Sequence, residues 1–78
     1  MAITDDEIRA ALKAAPPHMR TMLRNLFEYP SERNTCFAHG YVTAMEDAGL
    51  LYACMTYRTI INNAPLLPWV KRELKEQS

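Results

Sequence analysis

The sequence predicts an all-α protein: a compact bundle of four to five short helices forming a single domain over residues 1–78. Three observations carry this reading. Apolar residues recur at spacings of three and four, and no segment alternates with period two for long. Prolines at 16–17, 30, 65 and 68 cut the chain into helix-length blocks. The composition, 49% hydrophobic and 23% charged, is that of a folded globular chain and not of a disordered one.

The first block, ITDDEIRAALKAA, opens with Thr4 and has Glu7 three residues later, a capping-box pattern. Asp5, Asp6 and Glu7 suit the positive end of a helix dipole. Ile8, Ala11, Leu12 and Ala15 form one apolar stripe, and Pro16-Pro17 ends the helix, with Pro17 fit for the first turn of the next. In HMRTMLRNLFEYP, Met19, Met22, Leu23, Leu26 and Phe27 share a face, with Arg20, Arg24 and Glu28 opposite. Arg24 and Glu28 stand at i, i+4, the spacing of a helix-surface ion pair. Pro30 stops the helix, and PSERN reads as a turn.

The third block places Phe37, Tyr41, Ala44, Met45 and Ala48 on one expected inward face. Gly49 is placed to close the helix in a left-handed conformation, with Leu50 folding back onto it. A fourth helix is expected from about Leu51 to Ile61, with Leu50, Cys54, Tyr57 and Ile61 in line. Pro65 and Pro68 frame a short final helix with Val70 and Leu74 inward.

Composition narrows function. A chain of 78 residues holds one domain, and a domain this small buries only about 60% of its unfolded surface, so a partner subunit is a common source of added stability. Lys plus Arg equals Asp plus Glu at nine each, without a basic run. A sequence-independent nucleic-acid binder draws its affinity from phosphate neutralisation, and that footprint is absent, which argues against nucleic acid as a partner. With no run of about 18 apolar residues and no charged-then-apolar leader, we expect no membrane span and a cytoplasmic location. Two cysteines make no disulfide framework and read as reduced thiols.

Cys36 and His39 lie one helical turn apart, and His18 and Cys54 would complete a four-ligand set of the types zinc prefers. Structural zinc sites pair their ligands in two tight clusters, however, and only one pair here is close, so no metal is expected. Cys36 with His39 as a nucleophile–base pair lacks an orienting third group, and a small helical domain has little room for a cleft; neither an enzyme nor a cofactor is expected. Gly40, Ala44 and Ala48 form a small-residue ridge at i, i+4, i+8 that lets another helix approach closely, either within the chain or across a homodimer. The helical hairpin around EDAGLL also admits a helix-turn-helix reading, with Thr56, Arg58, Thr59 and Asn62 as base contacts, but its second helix carries a single cation. Four Tyr, one Trp and five Met are many large side chains for so small a core, and Tyr, Trp, Met and Arg are enriched at protein interfaces. Arg20, Arg24, Tyr52, Arg58 and Trp69 are the candidate partner-binding residues.

HGYVTAMEDAGLL resembles a segment of small phage and prophage proteins: Gly-aromatic-x-x-Ala-x-x-x-Ala-Gly-Leu followed by a second helix. The likeness covers Gly40 to about Ile61 and carries no active-site residue. Some proteins of that kind bind and inhibit host factors, including defence systems. The resemblance therefore implies a protein-interaction module that inhibits a host protein complex in the host cytoplasm by binding, without chemistry. A small DNA-binding regulator is the alternative.

Overall fold

Thr4 opens the first helix as its spacing requires. The Thr4 hydroxyl accepts from the Glu7 amide at 3.2 Å, and the Glu7 carboxylate accepts from the Thr4 amide at 3.4 Å, closing a capping box. The computed structural model describes residues 3–50 and 53–76. Five α-helices lie among them: α1 (Asp5–Ala14), α2 (Pro17–Glu28), α3 (Glu32–Asp47), α4 (Cys54–Asn62) and α5 (Pro68–Glu76), with a 3-10 turn at Ala64–Leu66 before α5. No strand occurs among the described residues. The chain is an all-α bundle.

α1 rests against α4 and α5, α2 against α3 and α5, and α3 against α4. The core draws on every helix. Ile8 and Leu12 come from α1, Met19, Leu23, Leu26 and Phe27 from α2, Ala38 and Val42 from α3, Tyr57, Ile60 and Ile61 from α4, and Val70 and Leu74 from α5. The inward stripes read from the sequence hold for α1, α2 and α5, where polar residues leave only one face to bury. Pro17 occupies the first turn of α2, where its missing N–H goes unused.

α3 departs from expectation at its N-terminus, on its buried face and in the position of Leu50 after it. Ser31 is its N-cap, accepting from the Asn34 amide at 3.1 Å, so most of the PSERN stretch is helix rather than turn. Asn34 also donates to the carbonyls of Tyr29 (2.8 Å) and Asn25 (3.3 Å), satisfying the end of α2 from the start of α3. The buried residues of α3 are Ala38 and Val42; Ala44 and Ala48 are exposed, and Phe37 is 55% exposed. Small and apolar residues occur nearly all round this helix, so periodicity does not select a face. The slim Ala38–Val42 side does, because it fits between α2 and α4. At the C-terminus, Gly49 (φ 68) and Leu50 donate to Glu46 and Met45 carbonyls at 3.0 and 2.9 Å, the two bonds of a Schellman motif. Leu50 does not fold back onto α3; it is 68% exposed and borders a groove between α1 and α4.

α4 begins at Cys54, later than the sequence indicates, after Ala53 in a left-handed conformation (φ 58). Leu51, the expected first residue of this helix, lies outside the described residues. Tyr57 is 1% exposed, and its hydroxyl donates to the Ala11 carbonyl at 2.5 Å. The Arg20 guanidinium donates to the Leu12 carbonyl at 3.0 Å and the Lys13 carbonyl at 3.4 Å. α1 ends without a glycine; the amide of its C-cap Ala15 donates to the Leu12 carbonyl at 3.3 Å, and these two side chains from α4 and α2 serve the last-turn carbonyls beside it.

Candidate functional site

The polar side chains between α3 and α4 are tied to one another. Arg58 donates to Thr43 Oγ1 at 2.9 Å and pairs with Glu46 at 2.5 Å. Its other terminal nitrogen lies 3.4 Å from His39 Nδ1, and His39 Nε2 lies 2.8 Å from the Asn62 side-chain oxygen. An arginine facing Nδ1 can only donate, so the neutral ring carries its proton on Nε2 and donates to Asn62. Thr59 bonds back to the Met55 carbonyl at 2.9 Å, and Thr56 is buried. The four residues that a helix-turn-helix would aim at bases are thus engaged within the fold.

His39 therefore bonds to Asn62 of α4, and Cys36 is exposed. His18 stacks on Tyr41 with ring centroids 6.0 Å apart, bracing α2 against α3. Among the described residues, no three His, Cys, Asp or Glu side chains converge on a point that could hold a metal. Burial and the nearby Glu46 carboxylate push the Cys54 thiol above its usual range. Alkylation at neutral pH should consequently modify Cys36 well before Cys54 in the folded protein. Peptide mapping after a timed iodoacetamide pulse checks this, and equal rates at the two thiols would contradict it.

The partner-binding candidates are scattered. Arg20 caps α1, Arg58 joins α4 to α3, and Trp69 is half-buried with the Arg9 guanidinium 4.7 Å above its ring. Arg9 also meets Glu73 at 3.4 Å, so this cluster holds α1 to α5. Arg20 was expected to lie on a free polar face; in the fold its loss costs stability first. Tyr52 lies outside the described residues. Arg24 remains at a surface groove. Gly40, Ala44 and Ala48 are exposed, and a side chain at Gly40 would begin in open space among the described residues.

What the residue list from the sequence missed is a pair of adjoining grooves. The larger, about 600 Å³, opens where the ends of α2 and α4 meet the start of α5. Leu26, Phe27, Ile61 and Ala64 form its floor, and Pro30, Pro65 and Pro68 its walls. The smaller, about 280 Å³, runs between α2 and α5 past Arg24, Tyr29 and Lys75. The two share Phe27 and Lys71. Glu28 is the single acid on this rim among the described residues, with Lys71 at 3.4 Å and Lys75 at 4.0 Å, so these side chains make the rim net basic. Tyr29 is 68% exposed beside it. The signal for this site in the sequence was the prolines: each marks a helix end, and three of the helix ends form the walls.

No helix among the described residues is long and apolar enough to cross a membrane. Fold and surface together define a small all-α bundle with an apolar, basic-rimmed groove. Comparison with family models, curated proteins and solved structures yields no match.

Proposed function

We propose that this chain acts by binding another protein, without chemistry of its own, through the two adjoining grooves that share Phe27 and Lys71. The observation that carries the reading is this pair of grooves: the apolar floor of the larger runs, through Phe27 and Lys71, into the smaller, whose rim sets Arg24, Lys71 and Lys75 against Glu28. Protein interfaces combine such an apolar centre with a polar rim and are enriched in Tyr and Arg. The fitting partner surface offers an apolar anchor flanked by carboxylates. The phage-like hairpin from Gly40 to about Ile61 supports a phage-type inhibitor of a host protein complex, such as a defence system, acting in the host cytoplasm. The reading includes a homodimer. The alternative, a small DNA-binding regulator, is weakened by the engagement of Arg58 and Asn62 with α3.

Pull-down of the tagged protein from host lysate, followed by mass spectrometry, tests this when run beside groove variants. Tyr29→Ala and Lys71→Glu should each weaken capture of the partner by tenfold or more, the scale of an interface anchor worth about 1–2 kcal/mol, with helicity retained. A salt-steep, sequence-specific gel shift lost in Arg58→Ala would instead establish the regulator.

A further inference from the structure

The outward face of α3 is exposed among the described residues. Ala38 and Val42 carry the helix's burial, so Arg33, Cys36, Phe37, Gly40, Ala44 and Asp47, on the far side of the turn, are all exposed. Phe37 leaves 55% of its surface in water. Gly40 sits at the middle of this face with open space where a side chain would stand. A glycine inside a helix is unfavourable relative to alanine, and no neighbour among the described residues requires it. The charges are also placed against their own helix. Arg33 lies in the first turn, at the positive end of the dipole, and Asp47 in the last, at the negative end. Neither forms an ion pair among the described residues.

We propose that this face joins two copies of the chain as an antiparallel α3–α3 pair whose two-fold axis passes at Gly40. The proposal rests on the reading of the chain as a self-associating binding module and gives that association its surface and register. Arg33 and Asp47 are each seven residues from Gly40. An antiparallel pairing about Gly40 therefore sets Arg33 of each copy opposite Asp47 of the other, twice by symmetry. Each charge then gains an opposite charge and a helix end of favourable sign. The missing side chain at Gly40 lets the two backbones approach, and Phe37 of each copy can seat beside Ala44 of the other. A contact of one helix pair falls below the roughly 1,200 Å² of a standard interface, so the dimer is weak, dissociating on the order of tens of micromolar.

Sedimentation of the full chain across a dilution series tests this. Arg33→Glu and Asp47→Arg should each weaken the dimer about tenfold by placing like charges together, and the double exchange Arg33→Glu/Asp47→Arg should restore it. Gly40→Leu should abolish the dimer while leaving the melting temperature of the dilute monomer unchanged or raised, since an added Cβ meets nothing among the described residues. In Ala44→Cys, mild oxidation should link the copies through Cys36 and the introduced thiol, and Cys36→Ser should remove the link. A monomer at all concentrations overturns the proposal. So does a dimer indifferent to the charge exchanges and to Gly40→Leu, because its contact would then lie elsewhere. Loss of partner capture with this dimer intact counts against the groove reading and leaves the α3 pairing standing.

Discussion

Leu23→Ala should destabilise the fold by about 2–5 kcal/mol, the usual range for emptying a fully buried leucine site. Leu23 has no exposed surface and lies on α2, the helix that packs against both α3 and α5. Removing its branched end takes away the transfer free energy of the lost groups and leaves a cavity that three helices cannot all close upon. A domain of this size has roughly 4–12 kcal/mol of total stability. The variant should therefore melt far below the parent, or be largely unfolded at 37 °C. Leu66→Ala is the control: that leucine is 76% exposed, and its loss should change stability by no more than about 0.5 kcal/mol. Urea titration followed by far-ultraviolet circular dichroism measures both. Equal midpoints for the two variants would contradict the placement of the core.

Tyr57→Phe should cost about 1–3 kcal/mol although it removes one oxygen, because it leaves the Ala11 carbonyl without its donor in a buried setting. The companion change Arg20→Ala should cost less, about 0.5–1.5 kcal/mol, because the Leu12 carbonyl keeps the Ala15 amide and the Lys13 carbonyl is exposed to water. The two effects should not add independently, since both side chains cap one helix end. Tyr57 also ties stability to pH. Burial raises its pKa above the usual value of 10.0, with the Arg20 charge opposing in part. Below pH 10 the phenol is protonated in both folded and unfolded chains, and its contribution is fully present. As pH rises beyond 10 the unfolded chain ionises first, so stability falls until the raised native value is passed. The parent should lose stability over that interval more steeply than Tyr57→Phe does. Denaturation midpoints at pH 9 and pH 11 for the two proteins decide the matter, and parallel losses would contradict the role assigned to Tyr57.

Several parts of this protein follow from the order of its residues alone. Thr4 and Glu7 close a capping box in the structure, Pro17 starts α2, and Gly49 ends α3 in a left-handed turn. Each of these depends on neighbours within four residues, so local sequence suffices. The buried stripes of α1, α2 and α5 were equally legible, because charges on the other faces leave one choice. The tertiary structure alone decided the rest. α3 offers apolar or small residues on several sides, and only its packing between α2 and α4 selects Ala38 and Val42 over Phe37, Ala44 and Ala48. Arg20 and Arg58 look alike as surface cations in one dimension. One caps α1 across eight residues and the other locks α3 to α4 across twelve, and hydrogen bonds at such range carry no local pattern. The groove belongs to the same class: its floor and walls come from the ends of α2, α4 and α5, which meet only when the bundle closes.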